Sequence, residues 1–330
     1  MKITFFEVQD WETEELNKAF PDAVVTSEKL SETNAENFAD SEIVSCFIYS
    51  ELTSKCLSKF TNLKLIATRS TGFDHIDINY CHEKNIKVAN VPEYGSNTVA
   101  EHTFALILNL TRKMYQSINQ SKTLKFVHNE IRGVDLFGKT IGIVGLGKIG
   151  INVLKIAKGF GMNALVYDGR KDEKLAESMG FQYSDLDNLL KNADIISLHL
   201  PLTPKTKHLI NKENIMMLKK GSYIVNTARG GLVDTEALVI ALDKEILAGV
   251  GLDVLEGEKD LSEEAALLNL EYIHKADLKT LVFNHILINN PKVLITPHNA
   301  FNSVEALMRI TMTTIDNIKS FTNNSPKNLL

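Results

Sequence analysis

Over the first hundred residues, short apolar runs alternate with polar stretches of helical character: KITFFEV, EIVSCFIY, LKLIATRS and IKVANV. That alternation predicts an α/β unit with a parallel sheet. From Thr98 the pattern changes, because TVAEHTFALILNLTRKM places apolar residues at helical spacing over about four turns. It predicts one long connecting helix. A polar, glycine-bearing stretch around 128–138 follows, and strands then recur as TIGIV, ALVYD, ADIISLHLP, GSYIVNTARG, ILAGVGLDV and KVLITPH, with helical patterns between them. They predict a doubly wound parallel-sheet domain over residues 98–298. The last pattern, from Ser303 to about Thr322, is helical and has no sheet of its own to cover. It is expected to return to the N-terminal domain, so that 1–97 and 299–330 form one smaller α/β domain, discontinuous in sequence. Between Glu258 and Pro291 stand two helical patterns, LSEEAALLNLEY and ADLKTLVFNHIL, where a compact connection needs only a few residues. Their apolar face is expected to pack over the second domain or a second subunit; the sequence assigns residues 259–290 no further role.

Composition narrows the partners more than the fold. At 330 residues, 44% hydrophobic and 23% charged, the chain suits two globular domains. A net charge of -5, with no run of lysine and arginine among aromatics, disfavours nucleic acid. The N-terminal MKITFFEVQDWETEE passes from a brief apolar burst straight to acids, unlike a signal peptide, and no apolar run approaches a membrane span. Cys46, Cys56 and Cys81 are odd in number and lack CxxC spacing, which fits reduced, buried thiols in a cytoplasmic protein. No metal is expected: HExxH is absent, and Glu101 with His102 reads as a helix start rather than a ligand pair.

The most specific stretch is TIGIVGLGKIGINVLKIAKGFGMNALVYD, from Thr140 to Asp168. Strand, glycine turn, helix and second strand ending in an acid together read as a dinucleotide-binding βαβ unit. Gly145 permits the tight turn, Gly147 lets backbone N–H groups approach a pyrophosphate, and Gly150 lets the helix pack closely. Lys148 and Ile149 fill the positions between, where the helix N-terminus favours an anion. Asp168, 18 residues past Gly150, is placed to accept hydrogen bonds from a ribose diol, which predicts NAD. A 2′-phosphate would meet its charge, and Arg170 nearby does not cancel that repulsion. The unit alone is also compatible with a flavin or S-adenosylmethionine.

Three later motifs end strands, where ligands gather in open α/β sheets. NTARGG places Arg229 on a sharp turn, where a guanidinium can fork onto a carboxylate. GLDVLEGE supplies Asp253, Glu256 and Glu258, and ITPHNAF ends a strand with Pro297 and His298. A histidine beside a carboxylate donates and accepts protons. Each of these residues alone is more often structural.

GLGKIG, HLPLT at His199–Thr203, NTARGGLVD, GLDVLEGE and TPHNAF resemble, in order and spacing, the D-isomer-specific 2-hydroxyacid dehydrogenases. The N-terminal RSTGFDHID and NVPEYGSNTVAEH resemble that family's substrate-domain segments, so the resemblance covers essentially the whole chain. It implies a Rossmann cofactor domain, a flavodoxin-like substrate domain, and NAD-dependent, reversible reduction of a 2-keto acid to the D-2-hydroxy acid. It further implies His298 as the acid/base and Glu258 as its partner, since the 29 residues from Arg229 to Glu258 match the family interval and Glu256 does not. Arg229 and the backbone near Thr71 and Gly72 are implied to hold the substrate, Asp253 to bind the nicotinamide, and Thr227, Ala228 and His199 to Pro201 to line its ribose. VPEY and HNAF are similar to the D-lactate dehydrogenase branch, with Tyr94 and Phe301 walling a small pocket, which implies pyruvate. Hydroxypyruvate, glyoxylate and bulkier 2-keto acids stay open, because GSNTVAEH replaces the SPNAIAEH-type run of that branch and the Glu258 to His298 interval is long. A phosphoglycerate dehydrogenase is disfavoured by the chain ending soon after the last helix, and a formate dehydrogenase by the glutamate partner. The same residues occur in NAD-sensing corepressors, a binding-protein alternative. A homodimer joined through the cofactor domains is implied by the resemblance, with an apolar excess between 98 and 113 as the sequence's own hint.

Overall fold

The computed structural model describes residues 1–258 and 277–330, and the LSEEAALLNLEY pattern lies outside them. The chain divides into two units, Met1–Gly95 with Asn302–Leu330, and Ser96–Phe301. In the first, β1 (Ile3–Phe5), β2 (Val24–Val25), β3 (Ile43–Cys46), β4 (Leu65–Thr68) and β5 (Lys87–Ala89) form a parallel sheet in the order β2-β1-β3-β4-β5. Both faces are covered, which is why its central strands read as continuous apolar runs. Val44, Ile66 and Val88 face one core, and Ile43, Leu65 and Ala67 face the other. The helix Val304–Thr322 covers the second face with Ile315 and Ile318, and the Ser303 side chain caps its start by accepting from Ala306 N–H.

The second unit holds β6 (Thr140–Val144), β7 (Asn163–Tyr167), β8 (Gln182–Tyr183), β9 (Ile195–Leu198), β10 (Ser222–Asn226), β11 (Leu247–Leu252) and β12 (Val293–Ile295). They are all parallel, in the order β12-β11-β10-β9-β6-β7-β8. Chain order reverses between β6 and β9. In such sheets the ligand crevice opens there, at the carboxyl ends of the strands. The helix Ser96–Arg112 lies across this sheet, with Leu106 and Leu110 packed against Gly249 and Gly251 of β11, where a Cβ would sit within 3.2 Å of those leucines. Small residues in β11 thus set the approach of helix to sheet.

The long helix forms over Ser96–Arg112, and Lys113 then turns left-handed (φ 48°) and starts a second helix, Met114–Lys122. One expectation changes. The apolar excess of 98–113 is spent inside the unit, since Phe104, Leu106, Ile107 and Leu110 join the core around Ile141, Val153 and Val225. The exposed apolar residues come later, at Tyr115, Ile118, Leu124, Phe126, Val127 and Phe137. The ADLKTLVFNHIL pattern forms the helix Leu278–Ile288, which buries Leu281, Asn284 and Leu287 on its own unit and leaves Val282 and Ile286 exposed. Among the described residues no helix is long and apolar enough to cross a membrane, and Cys46, Cys56 and Cys81 are all buried free thiols. Burial pushes the Cys46 thiol above its ordinary range and the Cys56 and Cys81 thiols up to about 11, which keeps them protonated.

Candidate active site

The three glycines after β6 do three different jobs. Gly145 has φ +100°, a backbone shape that disfavours side chains, and a Cβ there would lie 2.9 Å from the His199 carbonyl. Gly150 allows no Cβ either, because one would sit 2.1 Å from Gly145 O; it packs the helix Lys148–Gly159 onto the turn itself. A Cβ on Gly147 would meet nothing in the chain within 4 Å. The space over it is open, at a helix start that carries no side-chain cap.

Lys148 is exposed and Ile149 half-buried in the first turn of that helix. Asp168 reaches back from the end of β7, accepting from Leu146 N–H at 2.7 Å and from Arg170 N–H at 2.8 Å. The carboxylate therefore shapes the glycine loop. His199 follows β9, donating its backbone N–H to Val144 O at 2.8 Å. Its Nε2 lies 2.8 Å from Ser197 Oγ, and its Nδ1 is buried with no hydrogen-bond partner among the described residues. Burial pushes this imidazole down to about 3, so it stays neutral at physiological pH. An open face at Gly147, a helix N-terminus, a carboxylate beside the glycine loop and an orphaned neutral imidazole fit a dinucleotide.

At the end of β10, Asn226 is 1% exposed and staples the NTARGG turn. Its amide donates to Arg229 O at 2.9 Å and accepts from Ala228 N–H at 3.0 Å. Thr227 Oγ1 lies 2.9 Å from Thr103 Oγ1, and Arg229 Nη1 donates to Ala228 O at 2.8 Å. Gly230 is pressed against the next strand's exit: a Cβ there would lie 2.1 Å from Leu255 C. The arginine turn and the VLEGE segment are therefore held in register by backbone contact.

Within VLEGE the two glutamates separate. Glu256 is committed to His208 Nε2 at 2.6 Å and to Thr235 Oγ1 at 3.0 Å, whereas Glu258 Oε2 lies 3.3 Å from His298 Nδ1. Only Glu258 meets the histidine after β12. His298 itself has φ 50°, a left-handed conformation that is uncommon and strained for a residue with a side chain. Asp253 holds it there. His298 N–H donates to Asp253 O at 2.8 Å, and the buried Asp253 carboxylate accepts from Asn299 N–H at 2.8 Å, Ala300 N–H at 2.9 Å and Thr296 Oγ1 at 2.5 Å. His102 Nε2 lies 3.4 Å from the same carboxylate and 3.1 Å from Thr296 Oγ1. Burial pushes the Asp253 carboxyl up, but the hydrogen bonds from His102, Thr296 and the two amides outweigh it and hold it below the usual carboxylate range. With 1% exposure, Asp253 orients the histidine turn, a role the resemblance did not imply.

Sequence reading passed over His102, Asn226 and Thr296. His102 looked like a helix start, and nothing in spacing announces a contact across 194 residues. Pro201 lies on an exposed turn, its carbonyl accepting from Thr206 Oγ1 at 2.6 Å. Phe301 is half-buried just past the histidine turn. In the first unit, Thr71 and Gly72 form the loop after β4, where Thr71 Oγ1 donates to Val91 O at 2.6 Å and Ser70 Oγ to Gly72 O at 2.6 Å. Tyr94 is half-buried, its carbonyl accepting from Arg309 Nε at 2.5 Å. No cluster of histidine, cysteine and carboxylate groups suited to a metal occurs among the described residues.

Residues 104–300 match the family described as D-isomer specific 2-hydroxyacid dehydrogenase, NAD binding domain. Across the chain, a 2-hydroxyacid dehydrogenase homolog of Schizosaccharomyces pombe is 36% identical, with 98% of this chain and 97% of the relative aligned. The D-lactate dehydrogenase of Escherichia coli is 34% identical over 88% of this chain and 86% of its own length. A crystal structure of D-lactate dehydrogenase from Aquifex aeolicus, complexed with NAD and lactic acid, superposes with a TM-score of 0.87 at 37% identity, covering 98% of this chain and 96% of that one. The chain therefore belongs to the D-isomer-specific 2-hydroxyacid dehydrogenases and carries that family's NAD-binding domain.

Proposed function

We propose that this protein reversibly reduces a small 2-keto acid, pyruvate above others, to the D-2-hydroxy acid with NADH. The observation that carries the reading is the His298–Glu258 pair, held on a turn fixed by a buried carboxylate. With Nδ1 facing Glu258, Nε2 is the nitrogen left to exchange a proton with substrate. Arg229 takes the substrate carboxylate and carbonyl oxygen with its forked N–H groups, joined by the backbone N–H groups of Thr71 and Gly72. Gly147, the helix start at Lys148 and Asp168 would hold NADH, which when bound would supply the hydride for the keto carbon. His298 then gives its proton to the developing alkoxide, with Glu258 orienting the imidazole from its Nδ1 side. In the oxidative direction the same histidine takes the hydroxyl proton. Thr227, Ala228, Asp253, His199 and Pro201 are assigned to the nicotinamide side, Tyr94 and Phe301 to the wall around the substrate's methyl group.

Two relatives support pyruvate: besides the Escherichia coli enzyme, a Curvularia clavata protein named D-lactate dehydrogenase kk1H is 33% identical over 99% of this chain. Oxidation of NADH, followed optically across pyruvate, hydroxypyruvate, glyoxylate and branched 2-keto acids, tests the reading. Pyruvate is expected to give the highest kcat/KM. A higher value for another acid moves the substrate, and no turnover with any of them returns the chain to the binding-protein alternative.

Asp168 sets the cofactor. Asp168→Ala is expected to weaken NADH by about tenfold, the scale of a lost charge-assisted hydrogen bond, and to narrow the preference over NADPH. An unchanged ratio of the two KM values would remove Asp168 from the ribose. The protein is further assigned to the cytoplasm as a homodimer of cofactor domains. The apolar residues from Tyr115 to Phe137 offer the surface for that contact, and light scattering that returned a monomer mass would refute it.

A further inference from the structure

We infer that Asn317, on the helix Val304–Thr322, is a positioning residue for the Thr71–Gly72 peptide, so that the returning helix tunes substrate binding as well as covering the sheet. The inference rests on the proposed use of Gly72 N–H to hold a substrate carboxylate. A relay of amides carries it. Asn317 is 1% exposed and both ends of its side chain are used: Nδ2 donates to Asn90 O at 2.8 Å, and Oδ1 accepts from Asn328 Nδ2 at 2.8 Å. Asn90, just past β5, donates its N–H to Asn328 O at 3.1 Å and its Nδ2 to Thr71 O at 2.9 Å. The edge is closed by Leu330 N–H, which donates to Val88 O at 2.9 Å, beside an antiparallel bridge between Ala89 and Leu329.

The last bond decides what the relay does. A trans peptide is planar, so the direction of the Thr71 carbonyl fixes the opposite direction of the Gly72 N–H. Clamping Thr71 O with Asn90 therefore aims Gly72 N–H, while Ser70 Oγ holds Gly72 O from the other side at 2.6 Å. Asn90 is in turn held by Asn317. Buried amides that are fully hydrogen-bonded have few alternative geometries, because any other placement leaves a polar group unsatisfied. A helix that only covered apolar surface would need no asparagine at this position.

Steady-state kinetics of the full chain with NADH and pyruvate tests this, with oxamate as an unreactive competitor. Asn317→Ala is expected to raise KM for pyruvate and Ki for oxamate by about tenfold, the effect of one misaligned hydrogen bond, with kcat and KM for NADH near wild type. Asn328→Ala, at an exposed residue, is expected to shift the same two constants in the same direction but less. Wild-type constants in Asn317→Ala, or losses spread equally over NADH and kcat, overturn the inference. Should Asn317→Ala not fold, Asn328→Ala decides: a selective rise in the two constants supports the relay, and wild-type values overturn it. A wild-type enzyme that reduces no 2-keto acid would instead refute the proposed function itself.

Discussion

His298→Gln is expected to lower kcat for pyruvate reduction by about 10³-fold, within the range for losing a general acid, while the Kd for NADH stays near its wild-type value. Glutamine matches the imidazole's reach but cannot release or collect a proton in the working pH range, so the proton transfer loses its donor. The neighbouring groups that shape the cofactor loop, Asp168 and His199, hang on β7 and β9 and share no bond with His298. Binding and chemistry should therefore separate. The check is stopped-flow turnover set beside NADH fluorescence titration. Near wild-type turnover would remove His298 from the proton-transfer role.

Asp253→Ala should be the most damaging change to this unit outside its cofactor loop. It leaves the N–H groups of Asn299 and Ala300, the Thr296 hydroxyl and His102 without their shared acceptor. Breaking a buried, hydrogen-bonded charge cluster costs about 3–5 kcal/mol, and denaturant unfolding should show a loss of that size. Activity should fall further than stability requires, because His298 is held at φ 50° against a strain of about 1–3 kcal/mol and relaxes once the turn is freed. The pH dependence has a definite sign. Asp253 is held below its unfolded value, so it adds stability above the ordinary carboxylate range, and this is lost as pH falls through the folded value. Asp253→Ala should show a smaller acid-induced fall in stability than wild type; Asp253→Asn, which keeps one carbonyl acceptor but does not titrate, should share that flatter acid profile at a stability between the two. Equal acid profiles for Asp253→Ala and wild type would contradict the hub.

The parts that were legible in the sequence are those written in local pattern. Buried parallel strands announce themselves as apolar runs, and a glycine turn between strand and helix shows at fixed spacing, so β6, the helix Lys148–Gly159 and β7 could be read directly. Two-residue strands such as β2 and β8 are too short to leave a period. The break at Lys113 was hidden because its backbone turns left-handed at a lysine, with no glycine or proline to mark it. For the site, the reactive types His298, Glu258 and Arg229 stood out by motif, while the residues that aim them did not. His102 meets Asp253 only through the fold, as Asn317 meets Asn90 beside the Thr71–Gly72 peptide, and an asparagine or histidine on a helix carries no periodic signature; Asn226, at the end of β10, bonds residues two and three along, in a turn that no spacing marks. Glu256 and Glu258 were chemically equal in the sequence. Their partners are not: His208 and Thr235 occupy one, and His298 faces the other.

A stereospecific, NAD-dependent reduction of a 2-keto acid leaves a single enantiomer, which product analysis detects. Pyruvate and NADH are incubated with the protein, NADH loss is measured, and the lactate is resolved by chiral chromatography. One D-lactate is expected for each NADH consumed. L-lactate, or an absence of NADH consumption with pyruvate and the other 2-keto acids, would contradict it.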